Sequence, residues 1–272
     1  MIEGLKIRCN VGPLEVMRSP LIELVNRRRA VVSMATIRVP DPEGEARASL
    51  AIGQPVCVRW GYRGEDGLWH DWQGTIEAID QPKASSASAD ALTVTAVGEE
   101  KKLLTTLVTE SFLREPADVV ARRLLGRTGL PVRDVEVPGD VLPYQVFSGI
   151  PVARCIRQLA NTLERSFGHD MHRHAVWLSP SGLVWGSGDT EGDTYSVATA
   201  ENLRSHTPPA TADGVGVLVS VPLPGMTHSM KVHIRDTRRG VDTTVRALDV
   251  VHTLGENGNA TTITYGKDTG WM

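Results

Sequence analysis

A chain of 272 residues and 29.5 kDa, 41% hydrophobic and 22% charged, can bury a real core as one large or two modest domains. Its formal charge of −3, 29 basic against 32 acidic residues with no strongly basic segment, excludes tight electrostatic binding of nucleic acid. Cys9, Cys57 and Cys155 are odd in number and far apart, so they give neither a CxxC pair nor a disulfide framework and read as reduced thiols. No apolar run approaches the roughly 20 residues of a membrane helix, and no signal peptide is recognised, so a soluble, cytoplasmically made product without membrane insertion is expected.

The first third reads as strands. Arg27-Arg28-Arg29 is the one basic run, expected as a solvated turn or an interface element. Ala35, Ile37 and Val39 alternate with polar neighbours until Asp41-Pro42-Glu43-Gly44 breaks the pattern. Val56, Val58 and Trp60 share one face of the next strand. Gly64-Glu65-Asp66-Gly67 supplies a turn, and Trp72, Gly74, Ile76 and Ala78 line the partner. A Ser/Ala-rich stretch, Ala84 to Ala91, precedes a strand from Leu92 to Val97. Short β-favouring runs broken by turns predict a barrel or sandwich.

The middle changes period. Pro116 stands where a helix takes a first-turn proline, followed by Val119, Val120, Arg123 and Leu124, with Gly129 as terminator. A second helix starts near Pro151, with Ser148 as its candidate cap and Ile156, Leu159, Ala160 and Leu163 on its packing face. A hairpin follows Gly168: His174 to Leu178, a turn at Ser179-Pro180-Ser181-Gly182, then Leu183 to Trp185. Strands return in the last third at Met230 to Arg235, Val245 to Val251 and Thr261 to Tyr265, with turns at Arg238-Arg239-Gly240 and Gly255-Glu256-Asn257-Gly258-Asn259. The expected architecture is mostly β with an α/β insertion: residues 1–105 and 199–272 as two β-barrel domains flanking a small helical-hairpin region at 106–198.

Chemistry-bearing motifs are sparse. His169-Asp170-Met171-His172-Arg173-His174 is the most site-like cluster, because on a strand His172 and His174 project from one face and could share a metal. No HExxH or second ligand pair accompanies them, and a polar strand edge or turn is the favoured reading. His228, His233 and His252 read as partly exposed strand residues, and Glu99-Glu100 as a solvated turn. There is no GxSxG elbow, no phosphate-cradling GxxxxGK[ST] and no GxGxxG after a strand. No catalytic, cofactor-binding or metal residue is assigned, and the chain is expected not to be an enzyme.

Ile52-Gly53-Gln54-Pro55-Val56-Cys57-Val58-Arg59-Trp60-Gly61-Tyr62, followed by Trp72-Gln73-Gly74-Thr75-Ile76, resembles the late control protein D-like family of phage baseplate and tail hubs. That family shows an IGD-V-V-GY strand and then an aromatic-x-G strand. Gly53 matches its turn, Gly61-Tyr62 its strand end and Gly74 the next strand, while Gln54 departs from the acidic residue. Pro116 to Gly129-Leu130 is similar to the family's first inserted helix. Cys155 to Glu164, with Leu159-Ala160, is similar to the second, and Val245 to His252 with Gly258 and Thr261-Thr262-Ile263 to its closing strands. The resemblance implies a homotrimer whose protomers each give two tube-like barrels, six in a pseudo-sixfold ring. Such a hub adapts a sixfold tail tube to a threefold spike and lines the channel for DNA or effectors. The implied partners are a tail tube or distal tail protein above, a spike or tail-tip protein below and a tape measure protein, all within a virion assembled in the host cytoplasm. A balanced-to-acidic charge suits a conduit that must not grip DNA. The competing readings are a tail-tube or other virion or secretion-tail structural protein, and a metal-dependent hydrolase built on residues 169–174.

Overall fold

The computed structural model describes every residue except 1–3, 17–18, 20, 63–69, 81–89, 180, 190–193, 257 and 268–272. The predicted turn at Gly64 to Gly67 thus lies outside the described residues, as do most of the Ser/Ala stretch and, in part, the turns at 179–182 and 255–259.

In chain order the elements are β1 (Leu5–Val11), β2 (Leu14–Glu15), β3 (Ile22–Arg27), β4 (Met34–Pro40), α1 (Glu45–Ser49), β5 (Pro55–Tyr62), β6 (His70–Asp80) and β7 (Ala91–Gly98). A 3-10 turn (Glu99–Lys101) leads into α2 (Lys102–Thr105), β8 (Leu107–Pro116), α3 (Ala117–Gly126), β9 (Val132–Val135), β10 (Val141–Pro151), α4 (Val152–Phe167), β11 (Ala175–Ser179) and β12 (Gly182–Gly186). The chain closes with β13 (Thr194–Ala198), β14 (Leu203–Thr207), β15 (Val215–Ser220), β16 (Lys231–Asp236), β17 (Val241–Leu254) and β18 (Ala260–Gly266). The fold is mostly β, as the alternating patterns predict. It divides into a sheet unit, Met1–Arg27, Ser33–Glu99 and Asp193–Lys267, and an inserted unit made chiefly of Arg28–Val32 and Glu100–Gly192.

In the sheet unit the strand-rich first and last thirds share one 13-stranded sheet, ordered β14-β15-β18-β17-β3-β4-β7-β6-β5-β1-β2, with β16 beside β17 and β13 beside β16. The joint is β17. Its first half pairs with β16, while Asp249 to Leu254 pair with β18 on one edge and with β3 on the other. A bulge between Ala247 and Asp249 shifts the register there, the way a strand bends to serve two neighbours. Each side of the joint keeps its own hydrophobic cluster. One is built on Ile37, Val58, Trp60, Ile76 and Val94, the other on Val197, Leu218, Val232, Ile234 and Ile263.

The predicted face of β5 buries Val56, Val58 and Trp60, and β6 opposes it with Trp72, Gly74 and Ile76. Ala78 is only half buried, because a bulge after Ile76 changes the alternation. Gly74 lies under close backbone approach: a Cβ there would stand 2.3 Å from the Val97 carbonyl oxygen and 2.5 Å from the Trp72 ring. Backbone cannot yield as a flexible side chain can. Gly74→Ala is therefore expected to destabilise the sheet unit by about 1–3 kcal/mol, the range for overpacking, measured by urea unfolding.

In the inserted unit, α4 buries Val152, Ala153, Cys155, Ile156, Leu159, Ala160 and Leu163, the predicted stripe at three- and four-residue spacing. Gly168 ends it in the left-handed region (φ 78°), its N–H bonded to the Glu164 carbonyl at 3.0 Å. The N-termini depart from expectation. Ser148 lies within β10 and caps nothing; Pro151 holds the cap position of α4, and Pro116 that of α3 rather than its first turn. The first helical N–H is satisfied from outside in both cases, by the Thr106 carbonyl at 3.0 Å for α4 and the Asp140 carbonyl at 2.9 Å for α3. Strand, proline and helix thus occur twice in succession, with the two strands, β8 and β10, paired as a ribbon. A separate sheet, β11-β12-β9, carries the predicted hairpin and one parallel strand.

Candidate assembly surface

The 169–174 segment is not a strand. It links α4 to β11, with Met171 in the core and a turn at 172–173. His169 Nε2 meets Asp140 Oδ2 at 2.6 Å, His172 Nε2 meets Glu164 Oε1 at 2.9 Å, and His174 Nε2 donates to the Glu136 carbonyl at 3.0 Å. The alternation argument for a shared face fails because the backbone is not extended. The three rings turn to three different partners, and no group of three or more His, Cys, Asp or Glu among the described residues could hold a metal ion. Burial holds the His174 pKa below the usual histidine value. His172→Ala is expected to change stability by no more than about 0.5 kcal/mol, as for other exposed positions, and His174→Ala by about 1 kcal/mol for one lost hydrogen bond. Stoichiometric zinc or iron in the purified protein, lost in the double variant, contradicts this reading.

Several other polar residues lie deeper than their sequence context suggests. His228 and His252 are buried, in contrast to the expected partial exposure; His233 is partly exposed as expected, paired with Asp242 at 2.7 Å. Glu100 is buried as well, not solvated. Arg28 is buried too, its Nη2 donating to the Arg173 carbonyl and, at 2.8 Å, to the Ser187 carbonyl, so the arginine run is not a solvated turn throughout. His206, which has no sequence signal, joins Asp236 (2.9 Å) to the Tyr265 hydroxyl (2.7 Å) and ties β14, β16 and β18 together. Burial alone would raise the Asp236 carboxyl. Hydrogen bonds from His206, the Arg238 N–H and the Thr199 hydroxyl hold it below the usual range instead. With His206 and Asp236 sealed from solvent, this array is a structural tie. Burial pushes the Cys9 thiol up to about 12 and the Cys155 thiol to about 11, so both stay protonated and unreactive.

The surface is more informative than the interior. On the β8–β10 ribbon Leu113 and Tyr144 are directly opposed and 68% and 65% exposed, with Leu107, Val141 and Val146 also open. Each single exposed apolar residue is ordinary, but several on one ribbon are the mark of an interaction surface. The two ends of the large sheet differ in charge. At the β2 end a groove of about 410 Å³ has Leu14, Val16, Val39 and Pro40 on its wall and Glu15, Glu43 and Glu45 at its rim. At the β14 end Arg204, Arg238 and Arg239 surround a small hollow with Thr199, Ser205, His206 and Asp236, and Arg239 pairs with Asp236 at 3.4 Å.

No protein-family model and no curated protein matches the sequence. Solved structures do match along the whole chain. A tail protein from Neisseria meningitidis MC58 superposes with a TM-score of 0.67 at 14% identity, covering 98% of both chains. The 43 kDa tail protein of prophage MuSo2 from Shewanella oneidensis gives 0.67 at 11% identity, over 97% of this chain and 98% of that one. An E. coli type VI secretion component, described as structurally similar to the T4 bacteriophage tail proteins gp27 and gp5, gives 0.65 at 8% identity over 98% of this chain and 78% of that one. The chain therefore has the β-rich fold of phage tail proteins and their type VI secretion counterpart.

Proposed function

We propose that this chain is a non-enzymatic structural subunit of a phage or phage-like tail, serving as the hub of its baseplate. The observation that carries the reading is a full-length match. Tail proteins from two bacteria align over 97–98% of this chain, so both units and their order are shared, not one widespread domain. The sealed polar groups fit a scaffold better than a catalyst. In this reading the two hydrophobic clusters of the sheet unit are the cores of two tube-like barrels. In this reading three copies form a ring of six barrels beneath a sixfold tail tube or distal tail protein. The opposite face seats a threefold spike or tail tip, and the ring lines the channel for DNA or effectors. Native mass spectrometry of the purified chain is expected to give a homotrimer, the threefold state that a symmetry adaptor requires. A stable hexamer with identical contacts contradicts the hub reading and points to a tail-tube protein.

A further inference from the structure

We infer that the two ends of the large sheet are each other's partners between copies: the acid-rimmed groove beside β2 and α1 on one copy receives the basic edge at β14 of the next. The inference rests on the homotrimer proposed above and names the contact that would build it.

Three observations lead there. First, both ends of the sheet are open among the described residues. Strand β14 pairs only with β15, and β2 is two residues long and pairs only with β1. Leu5 to Arg8 of β1 therefore have β5 as their sole strand neighbour. Open edges of an extended sheet invite pairing with another chain and persist where that pairing is used or blocked. Second, the ends are complementary. Glu15, Glu43 and Glu45 are exposed around the apolar groove, whereas Arg204 and Arg238 are exposed beside β14. Asp41 is not part of the complement, because its carboxylate accepts from the Ala46 N–H at 2.8 Å and caps α1. Arg47 on α1 pairs with that same Asp41 at 3.8 Å, which leaves Glu15, Glu43 and Glu45 to meet the incoming arginines. Third, the two ends are different surfaces. A contact between unlike surfaces is heterologous: it cannot form a twofold dimer, and repeated in one direction it makes a ring where the rotation closes, as the homotrimer requires.

The test is a charge swap. Glu15→Lys with Glu43→Lys, and separately Arg204→Glu with Arg238→Glu, change exposed residues outside both hydrophobic clusters. Each pair is expected to raise the concentration for half-maximal trimer formation at least tenfold by sedimentation or native mass spectrometry, with the thermal transition retained. Equimolar mixing of the two reversed proteins joins groove lysines to edge glutamates and native groove glutamates to native edge arginines, so two of the three contacts in a mixed trimer are matched and mixed oligomers are expected to reappear. Trimerisation unchanged by both reversals overturns the contact and leaves the trimer standing; a parent chain that is monomeric at every concentration overturns both. If a reversed protein loses its melting transition, Glu43→Cys mixed with Arg238→Cys decides the matter. Oxidation is expected to trap a dimer found in neither variant alone, and no such dimer counts against the contact.

Discussion

Trp60→Ala is expected to lower the unfolding free energy of the sheet unit by about 3–5 kcal/mol, the range for deleting a large buried aromatic. Trp60 is fully buried in the first cluster. Its ring lies 4.5 Å from that of His70 and 5.1 Å from that of His252 between centroids, so the indole fills the space where β5, β6 and β17 meet. The loss is a large part of the roughly 5–15 kcal/mol that stabilises a typical domain, and assembly fails through unfolding. Trp60→Phe separates packing from polarity. Among the described residues the buried indole N–H has no hydrogen-bond partner, so Phe removes a donor whose unpaired burial costs about 1–3 kcal/mol, while keeping much of the volume. It should be milder than Ala. Arg59 gives the contrast on the opposite face. Its ion pair with Asp71 at 2.8 Å is about half exposed, and such pairs contribute about 0–1 kcal/mol. Arg59→Ala should melt close to the parent. If urea titrations show Trp60→Ala as stable as the parent and Arg59→Ala unfolded, the assigned faces of β5 are wrong.

That contrast was legible in the sequence because β5 alternates cleanly and its bulky residues share one parity. The strands of the ribbon were not. β8 has Arg114 in the left-handed region (φ 52°) and β10 has Gly149 there (φ 62°), with a bulge between Phe147 and Ile150, so neither keeps a steady period of two. Pro116 and Pro151, the residues that signal the helices, also end the strands, and the helical pattern that follows masks the extended one before it. The joint at β17 escaped for another reason. Pairing of β17 with β3 brings together residues more than 200 positions apart, and nothing in the local pattern of either strand names its neighbour. Single histidines escaped for the same reason: His252 was misjudged and His206 gave no signal because their partners, Thr261 and the Met226 carbonyl for one and Asp236 and Tyr265 for the other, come from elsewhere in the fold. The acid-rimmed groove is likewise tertiary, since Glu15 and Glu43 line it together only where β2 folds beside α1.

Mild acid should destabilise the sheet unit, and half-buried His70 and buried His252 set the window. Burial lowers the His70 pKa to about 4. It lowers that of His252 to about 3, against the raising effect of its hydrogen bond to the Met226 carbonyl and with a further lowering from nearby His70. Both rings are neutral in the folded protein: His252 Nε2 donates to Met226 at 2.8 Å, and its Nδ1 lies 2.9 Å from the Thr261 hydroxyl. In the unfolded chain each titrates near 6.5. Between pH 6.5 and 4 the unfolded chain therefore binds up to two more protons than the folded one. Stability present above pH 6.5 falls with pH by about 1.4 kcal/mol per unit for each histidine. The loss therefore grows steadily from pH 6.5 toward pH 4.5, with His252, the fully buried ring, contributing most. Asp236 acts in the same direction at lower pH, because a carboxyl held below its ordinary range loses its contribution as it protonates. Urea unfolding at pH 7.5, 6.0 and 5.0 reads the slope directly. His252→Gln keeps a polar side chain with no titrating proton and should shallow that slope by about half, whatever it does to stability at pH 7.5. A parent protein equally stable at pH 7.5 and 5.0 means that both rings reach solvent, and the joint between β17, β3 and β5 is looser than drawn.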